Sequence, residues 1–225
     1  MKTTNWKFEK VAGPYNGPNS GLVWDGSGML FSLVEEGRIL RYDPKAKKTT
    51  QFRNYTNRIT GLAFGPNGLV VVSYSKPMPK PYTGDIRFSR SVDGGRSFAA
   101  PVTIHTDRQE ITHRFDSVIV NAKGQVFVSW IDKRDQVFAQ RAKAEYRGAA
   151  TYFAVSDDRG ASFRGDFRLA EHSCECCRIA LRPQADGSVL AMWRHVFAPN
   201  IRDHALARMT PEGSPGEIRR VTFDD

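Results

Sequence analysis

Hydrophobic residues in this chain fall into short runs of strand-like composition rather than helical stripes. The runs "MLFSLV" from Met29, "GLVVVSY" from Gly68, "QVFVSWI" from Gln125, "ATYFAVS" from Ala150 and "SVLAMWRH" from Ser188 are rich in β-branched and aromatic residues. Gly, Pro, Asn or Asp bound them, as expected of strands. Only Asp135 to Tyr146, "DQVFAQRAKAEY", carries a pattern that suits a helix longer than a turn or two. Four of the strands follow a glycine in the same frame, at Gly28, Gly68, Gly124 and Gly187. A spacing of roughly 40 to 60 residues suits one four-stranded antiparallel sheet per repeat, the signature of a β-propeller.

Two repeats can be written out. One runs "RITGLAF", "GLVVVSY", "DIRFSRS" and "RSFAAPVTI"; the next runs "DSVIV", "QVFVSWI", "ATYFAVS" and "SFRGDFRLA". The predicted fold is all-β, a β-propeller of four-stranded antiparallel blades with about four blades in one domain over 1–225. Blade one spans about Leu22 to Asn57, blade two reaches Asp107, blade three about Ala170 and blade four Phe223. Because antiparallel strands alternate in direction, first and third connections lie at one end of each sheet and second and fourth at the other.

One eight-residue pattern occurs twice, as Ser91-Val-Asp93-Gly-Gly95-Arg-Ser97-Phe98 and Ser156-Asp-Asp158-Arg-Gly160-Ala-Ser162-Phe163. Both copies fall in a third connection. There Asp93 and Asp158 can accept bonds from backbone N–H groups, Gly95 and Gly160 can supply positive φ, and Phe98 and Phe163 can anchor the hairpin between blades. The pattern reads as a staple for the fold.

S-x-D-x-G-x-[ST]-[FW] is the Asp box, so residues 68–225 resemble the bacterial neuraminidase repeat, or sialidase-like, propellers. Residues 1–67 resemble a different family. "GPNSGLVWDGSGMLFSLVEEGRILRYDP" followed by "TNRITGLAFGPNG" is similar to the opening of the gluconolactonase/senescence-marker-protein propellers, which are metal-dependent lactonases. Ser20 and Thr60 stand where that family carries a metal-binding Glu and an Asn. A hard cation wants carboxylate and amide oxygens, which disfavours lactonase chemistry and leaves this part as a blade plus an edge strand. Both families close with six blades, so four suit an open fragment, a truncated product or a natural four-bladed ring. An open ring exposes blade faces and strand edges, which favours self-association.

Net charge is +9, yet Lys and Arg are scattered and the longest basic block is "KAKK" at Lys45 to Lys48. That argues against nucleic acid and leaves an anionic carbohydrate or other small anion as partner. No apolar run approaches the roughly 20 residues of a membrane span, and "MKTTNWKFEK" lacks the apolar core of a signal peptide. As written the chain reads as cytoplasmic, or as periplasmic or secreted if its true start lies upstream.

Candidate chemistry collects in the second and fourth connections. Arg58, Arg114 and Arg178 each precede a blade's innermost strand, so their guanidinium groups can converge near the axis. Arg suits bidentate carboxylate recognition, and the resemblance implies a three-arginine clamp on a sialic acid carboxylate. The alternative is pairing with acids on adjacent blades. Arg134, Arg194 and His195 extend the same face. Sialidase chemistry implies a Tyr nucleophile helped by a Glu, with a separate acid. Tyr82 or Tyr146 with Glu110 or Glu145, and Asp132 or Asp116 as acid, are the candidates; such chemistry needs no cofactor.

His172, Cys174, Cys176 and Cys177 could hold a thiophilic ion, since thiolates and imidazole suit Zn or Cu(I). Partly buried thiols or a disulfide are the alternatives. Trp130 and Trp193 read as core, and Trp24 as packed or as a sugar-stacking ring at the propeller mouth. The functional expectation is a sialidase-like propeller that binds, and in that family's manner hydrolyses, an anionic glycoside. Its competitors are a non-catalytic carbohydrate- or protein-binding propeller and, disfavoured by Ser20 and Thr60, a lactonase.

Overall fold

In the computed structural model residues 19–33, 37–54 and 59–221 are described. Their strands form four antiparallel blades in chain order. Blade one is β1 (Asn19–Trp24), β2 (Met29–Leu33), β3 (Arg38–Asp43) and β4 (Lys48–Asn54). Blade two is β5 (Gly61–Phe64), β6 (Val70–Pro77), β7 (Gly84–Ser91) and β8 (Val102–Thr103). Blade three is β9 (His113–Val120), β10 (Val126–Asp132), β11 (Ala149–Ser156) and β12 (Arg164–Ser173). Blade four is β13 (Ala180–Pro183), β14 (Val189–Phe197), β15 (Ile201–Met209) and β16 (Arg219–Arg220), and a Ser173–His195 pairing joins it to blade three. This is the β-propeller architecture the repeats imply.

The unbroken hydrophobic runs have a direct cause. Every residue of β10 and β11 is buried, because a central strand of an inner blade has a neighbouring blade on each face. Val126, Val128 and Trp130 pack with Ala63, Val71, Ile86 and Phe88 of blade two. Phe127 and Ile131 alternate with them and pack with Ala191, Trp193 and Ala205 of blade four. Period-two alternation thus persists, but both phases are apolar.

The innermost strands follow one another around a common axis, β1 touching β5, β5 touching β9 and β9 touching β13. Among the described residues no comparable contact joins β13 to β1. The one helix there, α1 (Arg134–Arg141), lies in the β10–β11 connection. It stops short of Tyr146 because Lys143 takes a left-handed φ of 56°.

Both copies of the repeated octapeptide occupy third connections, between β7 and β8 and between β11 and β12. Ser91 Oγ and Ser156 Oγ each accept the N–H of the glycine four residues on, at 2.8 and 2.7 Å. Asp93 accepts from Arg96 N, Ser97 N and Ser97 Oγ, and Asp158 from Ser162 N and Ser162 Oγ. Burial opposes ionisation of Asp158, yet the Ser162 and Ser156 bonds outweigh it and hold the carboxyl at about 2. Gly95 and Gly160 both sit at φ 83°. Phe163 meets Phe88 of the preceding blade edge-on, ring centroids 4.8 Å apart, and Phe98 packs on a cluster holding Leu30 of blade one and Val70 of blade two. Each turn therefore closes a hairpin and ties it to the blade before it.

Candidate functional site

The opposite end of the sheets carries the second and fourth connections, and near the axis they enclose a pocket of about 320 Å³. Thr60, Ser75, Met78, Lys80, Tyr82, Arg114, Phe115 and Arg178 are among its lining residues. Its shape depends on Phe115, which adopts φ 58°. Left-handed backbone is costly for a bulky residue, roughly 1–3 kcal/mol. The pairing of β9 with β10 slips at this point, between Ser129 and Ile131, so that Arg114 rather than Phe115 lies opposite Ile131. Such a bulge re-aims a side chain next to a functional cleft.

Arg114 Cζ lies 5.1 Å and Arg178 Cζ 5.8 Å from the Phe115 ring centroid. The fold thus brings together two of the three arginines read as axial, and Arg58 lies outside the described residues. Beyond that ring, neither guanidinium has a hydrogen-bond or ion-pair partner among the described residues. Among the described residues, then, neither arginine pairs with an acid of an adjacent blade.

Beneath the pocket sits Asp116, 2% exposed. Thr60 Oγ1 donates to both of its oxygens at 2.8 and 2.9 Å, Ser73 Oγ to Oδ2 at 2.6 Å and Ser75 Oγ to Oδ1 at 3.0 Å. Three hydroxyls from blade two therefore solvate a carboxylate of blade three, which ties the pocket floor across the blade junction. Held this way, Asp116 accepts hydrogen bonds from hydroxyls of the neighbouring blade.

The other residues singled out divide sharply. Tyr82 is 80% exposed on the pocket rim, and the nearby Glu110 accepts the Lys80 backbone N–H at 2.8 Å. Among the described residues no hydrogen bond links the Tyr82 hydroxyl to Glu110 or any other carboxylate. Tyr146 is turned inward against His172, rings 4.7 Å apart, and burial pushes its hydroxyl well above the usual tyrosine range. Glu145 is exposed.

Asp132 and Arg134, read as facing a ligand, pair with each other below the surface. Arg134 donates to Asp132 Oδ2 at 2.7 Å, reaches Asp166 at 2.6 Å and lies over the Tyr152 ring at 4.3 Å. Burial opposes its charge, but Asp132 and Asp166 outweigh that and raise its pKa. His195 is 7% exposed, wedged between Trp193 and Phe197, so it backs the face rather than lining it. Arg194 is exposed and donates to the Arg202 carbonyl at 3.4 Å. Trp130 and Trp193 are core, whereas Trp24 is 52% exposed.

Cys174, Cys176 and Cys177 cluster, with Sγ–Sγ contacts of 3.6 Å from Cys174 to Cys176 and 3.1 Å from Cys174 to Cys177. All three thiols are free. Burial opposes ionisation of Cys174, but the Cys176 backbone N–H, the two thiols and the Arg202 guanidinium outweigh it, bringing the thiol down to about 7. Burial and that neighbour push Cys177 up to about 11. His172 does not join the cluster; its Nδ1 accepts the Arg147 N–H at 3.3 Å. Sequence reading missed Phe115, whose backbone conformation leaves no trace in composition, and the three hydroxyls on Asp116, which lie 41 to 56 residues away from it along the chain.

No family model matches the chain, and no curated protein does. Solved structures do. A protein of unknown function from Dyadobacter fermentans is similar over 91% of this chain and 68% of its own, at 12% identity and a TM-score of 0.58. An endo-arabinase from Bacteroides thetaiotaomicron is similar over 91% of this chain and 80% of its own, at 10% identity and a TM-score of 0.56. The PQQ-bound aldose sugar dehydrogenase of Streptomyces coelicolor is similar over 87% and 61%, at 17% identity and a TM-score of 0.55. At these identities the likeness is one of fold. Among the described residues no helix is long and apolar enough to cross a membrane.

Proposed function

We propose that the protein binds an anionic saccharide in the axial pocket, its acid group held by Arg114 and Arg178 and its ring stacked on Phe115 or Tyr82. The observation that carries this reading is the pair of guanidinium groups, unmatched by protein carboxylates among the described residues and drawn to one aromatic ring. A guanidinium fork fits a carboxylate with two parallel bonds, and an aromatic face suits the C–H face of a sugar. A volume of about 320 Å³ is at the small end of ligand pockets and suits a monosaccharide acid. Sugar-active proteins among the similar structures support the ligand class.

Binding without hydrolysis is the better-supported form. Tyr82 lacks a carboxylate partner among the described residues, and Asp116 is committed to three hydroxyls. Calorimetry with N-acetylneuraminic acid, galacturonic acid and neutral galactose tests it. We expect an acid to bind and galactose not to, and Arg114→Ala and Arg178→Ala to weaken the acid at least tenfold with melting unchanged. Failure of both acids to bind, or unaltered binding by the double variant, overturns the proposal. Turnover of a fluorogenic sialoside, lost in the double variant, would instead restore the sialidase reading.

A further inference from the structure

Between β12 and β13 the chain reads Cys174-Glu-Cys176-Cys177, and the fold gathers the three sulfurs into one cluster. Cys174 Sγ lies 3.6 Å from Cys176 Sγ and 3.1 Å from Cys177 Sγ, and all three atoms lie within 4.8 Å of one another. None of the three residues lines the axial pocket. The turn that carries them is anchored on both flanks. Cys174 N–H donates to the Arg194 carbonyl of β14 at 2.8 Å, which pins the start of the turn to blade four. Glu175 is held from blade three, accepting from Lys133 Nζ at 3.2 Å and from Gln136 Nε2 of α1 at 3.3 Å. Between those anchors the Cys176 backbone N–H folds back onto Cys174 Sγ. Hydrogen bonds of this kind to a ligand atom fix its orientation in metal sites.

Two guanidinium groups face the sulfurs from blade four. Arg202 Nη1 lies 3.7 Å from Cys174 Sγ, and Arg194 donates to Cys177 Sγ. Metal ligation takes the thiolate form, each thiol giving its proton to solvent as the ion binds. Three thiolates around one monovalent ion carry two net negative charges, and Arg194 and Arg202 match both. Around a divalent ion one guanidinium would be in excess.

We infer that Cys174, Cys176 and Cys177 form a three-thiolate binding site for one Cu(I) ion. Sulfurs held about 2.3 Å from one ion lie about 3.8–4.0 Å apart, so the cluster opens onto an ion with shifts of about 1 Å or less. A thiolate has no ring plane to satisfy, and rotation about its Cα–Cβ bond re-aims the sulfur. The donor count also selects the ion. A structural zinc site takes four protein ligands, and the two nearest candidates for a fourth are engaged elsewhere. His172 Nδ1 accepts the Arg147 N–H at 3.3 Å, and Glu175 is committed to Lys133 and Gln136. Soft thiolates select Cu(I). Cys174 is buried and Cys176 exposed, so the ion enters from solvent past Cys176.

Anaerobic titration of the reduced full chain against the Cu(I)–bicinchoninate complex tests this, because the visible colour of the chelate fades as the protein withdraws copper. We expect one equivalent to be withdrawn, with near-ultraviolet thiolate-to-copper absorption that saturates at the same point. All three cysteines of the loaded protein should then resist an aromatic disulfide reagent that labels them in the copper-free protein. Cys176→Ser, at the exposed position, should weaken copper binding at least tenfold, and Cys177→Ser should do the same. His172→Gln should bind as the parent does. Failure to withdraw copper, protection of only two thiols, or parental affinity in Cys176→Ser and in any folded Cys177→Ser overturns the site. A tenfold loss in His172→Gln would overturn the all-sulfur ligand set.

Discussion

Replacing Asp116 separates a floor that supports the pocket from a group that performs chemistry in it. Asp116→Ala removes the acceptor shared by Thr60, Ser73 and Ser75. Hydrogen bonds to a charged group are each worth about 1.5–3 kcal/mol. Thr60 and Ser75 are only partly buried and can turn to water, whereas Ser73 is 0% exposed and cannot. Counting Ser73 as a stranded donor, and setting the relieved cost of a buried charge against the other two, leaves a loss of about 3 kcal/mol. For a chain of this length that lowers Tm by about 6–12 °C. Asp116→Asn keeps one acceptor oxygen and should lose about half as much. Differential scanning calorimetry reads both directly. An alanine variant within about 1 kcal/mol of the parent would refute the reasoning, and an asparagine variant that melts normally but no longer binds the acid ligand would move Asp116 into the chemistry.

Gly160 sits at φ 83° with Phe88 Cζ only 2.7 Å from where a Cβ would lie, so Gly160→Ala should cost upwards of about 2 kcal/mol. Gly94 has φ 74° but open space around it; Gly94→Ala should cost about 1 kcal/mol, and equal denaturant midpoints for the two would contradict the packing account. Burial first, then His172 and Arg147, lower the pKa of His195 from 6.5 to about 4. The unfolded chain therefore takes up this proton first, so the contribution to stability is complete above about pH 6.5 and is lost as pH falls from there toward 4. His195→Phe should flatten that part of the stability profile, and an unaltered slope would count against it. Diamide should join Cys174 to Cys177, the closer pair, with loss of two hydrogens as the reagent is reduced; peptide mass mapping that finds Cys176 in the bond would refute this.

Much of the architecture was legible because strand formation is local. Runs such as "QVFVSWI" and "ATYFAVS" announce strands, and the glycine before each second strand repeats with the blade. The octapeptide announced its own turn, since Ser91, Asp93 and Ser97 bond within four residues of one another. Parity of antiparallel connections then placed Arg114 and Arg178 on the face opposite those turns. What that face does with each side chain was beyond reach. Asp132 and Arg134 look from the sequence like Arg114 and Arg178, charged residues at strand ends, yet one pair is sealed around a buried ion network and the other is left to solvent. The difference is whether a neighbouring blade covers the residue, and blade neighbours are set by packing across dozens of residues. For the same reason the two guanidinium groups beside the thiols, the hydroxyl cage on Asp116 and the left-handed Phe115 appear only in three dimensions. Each depends on contacts between chain segments whose meeting no local pattern records.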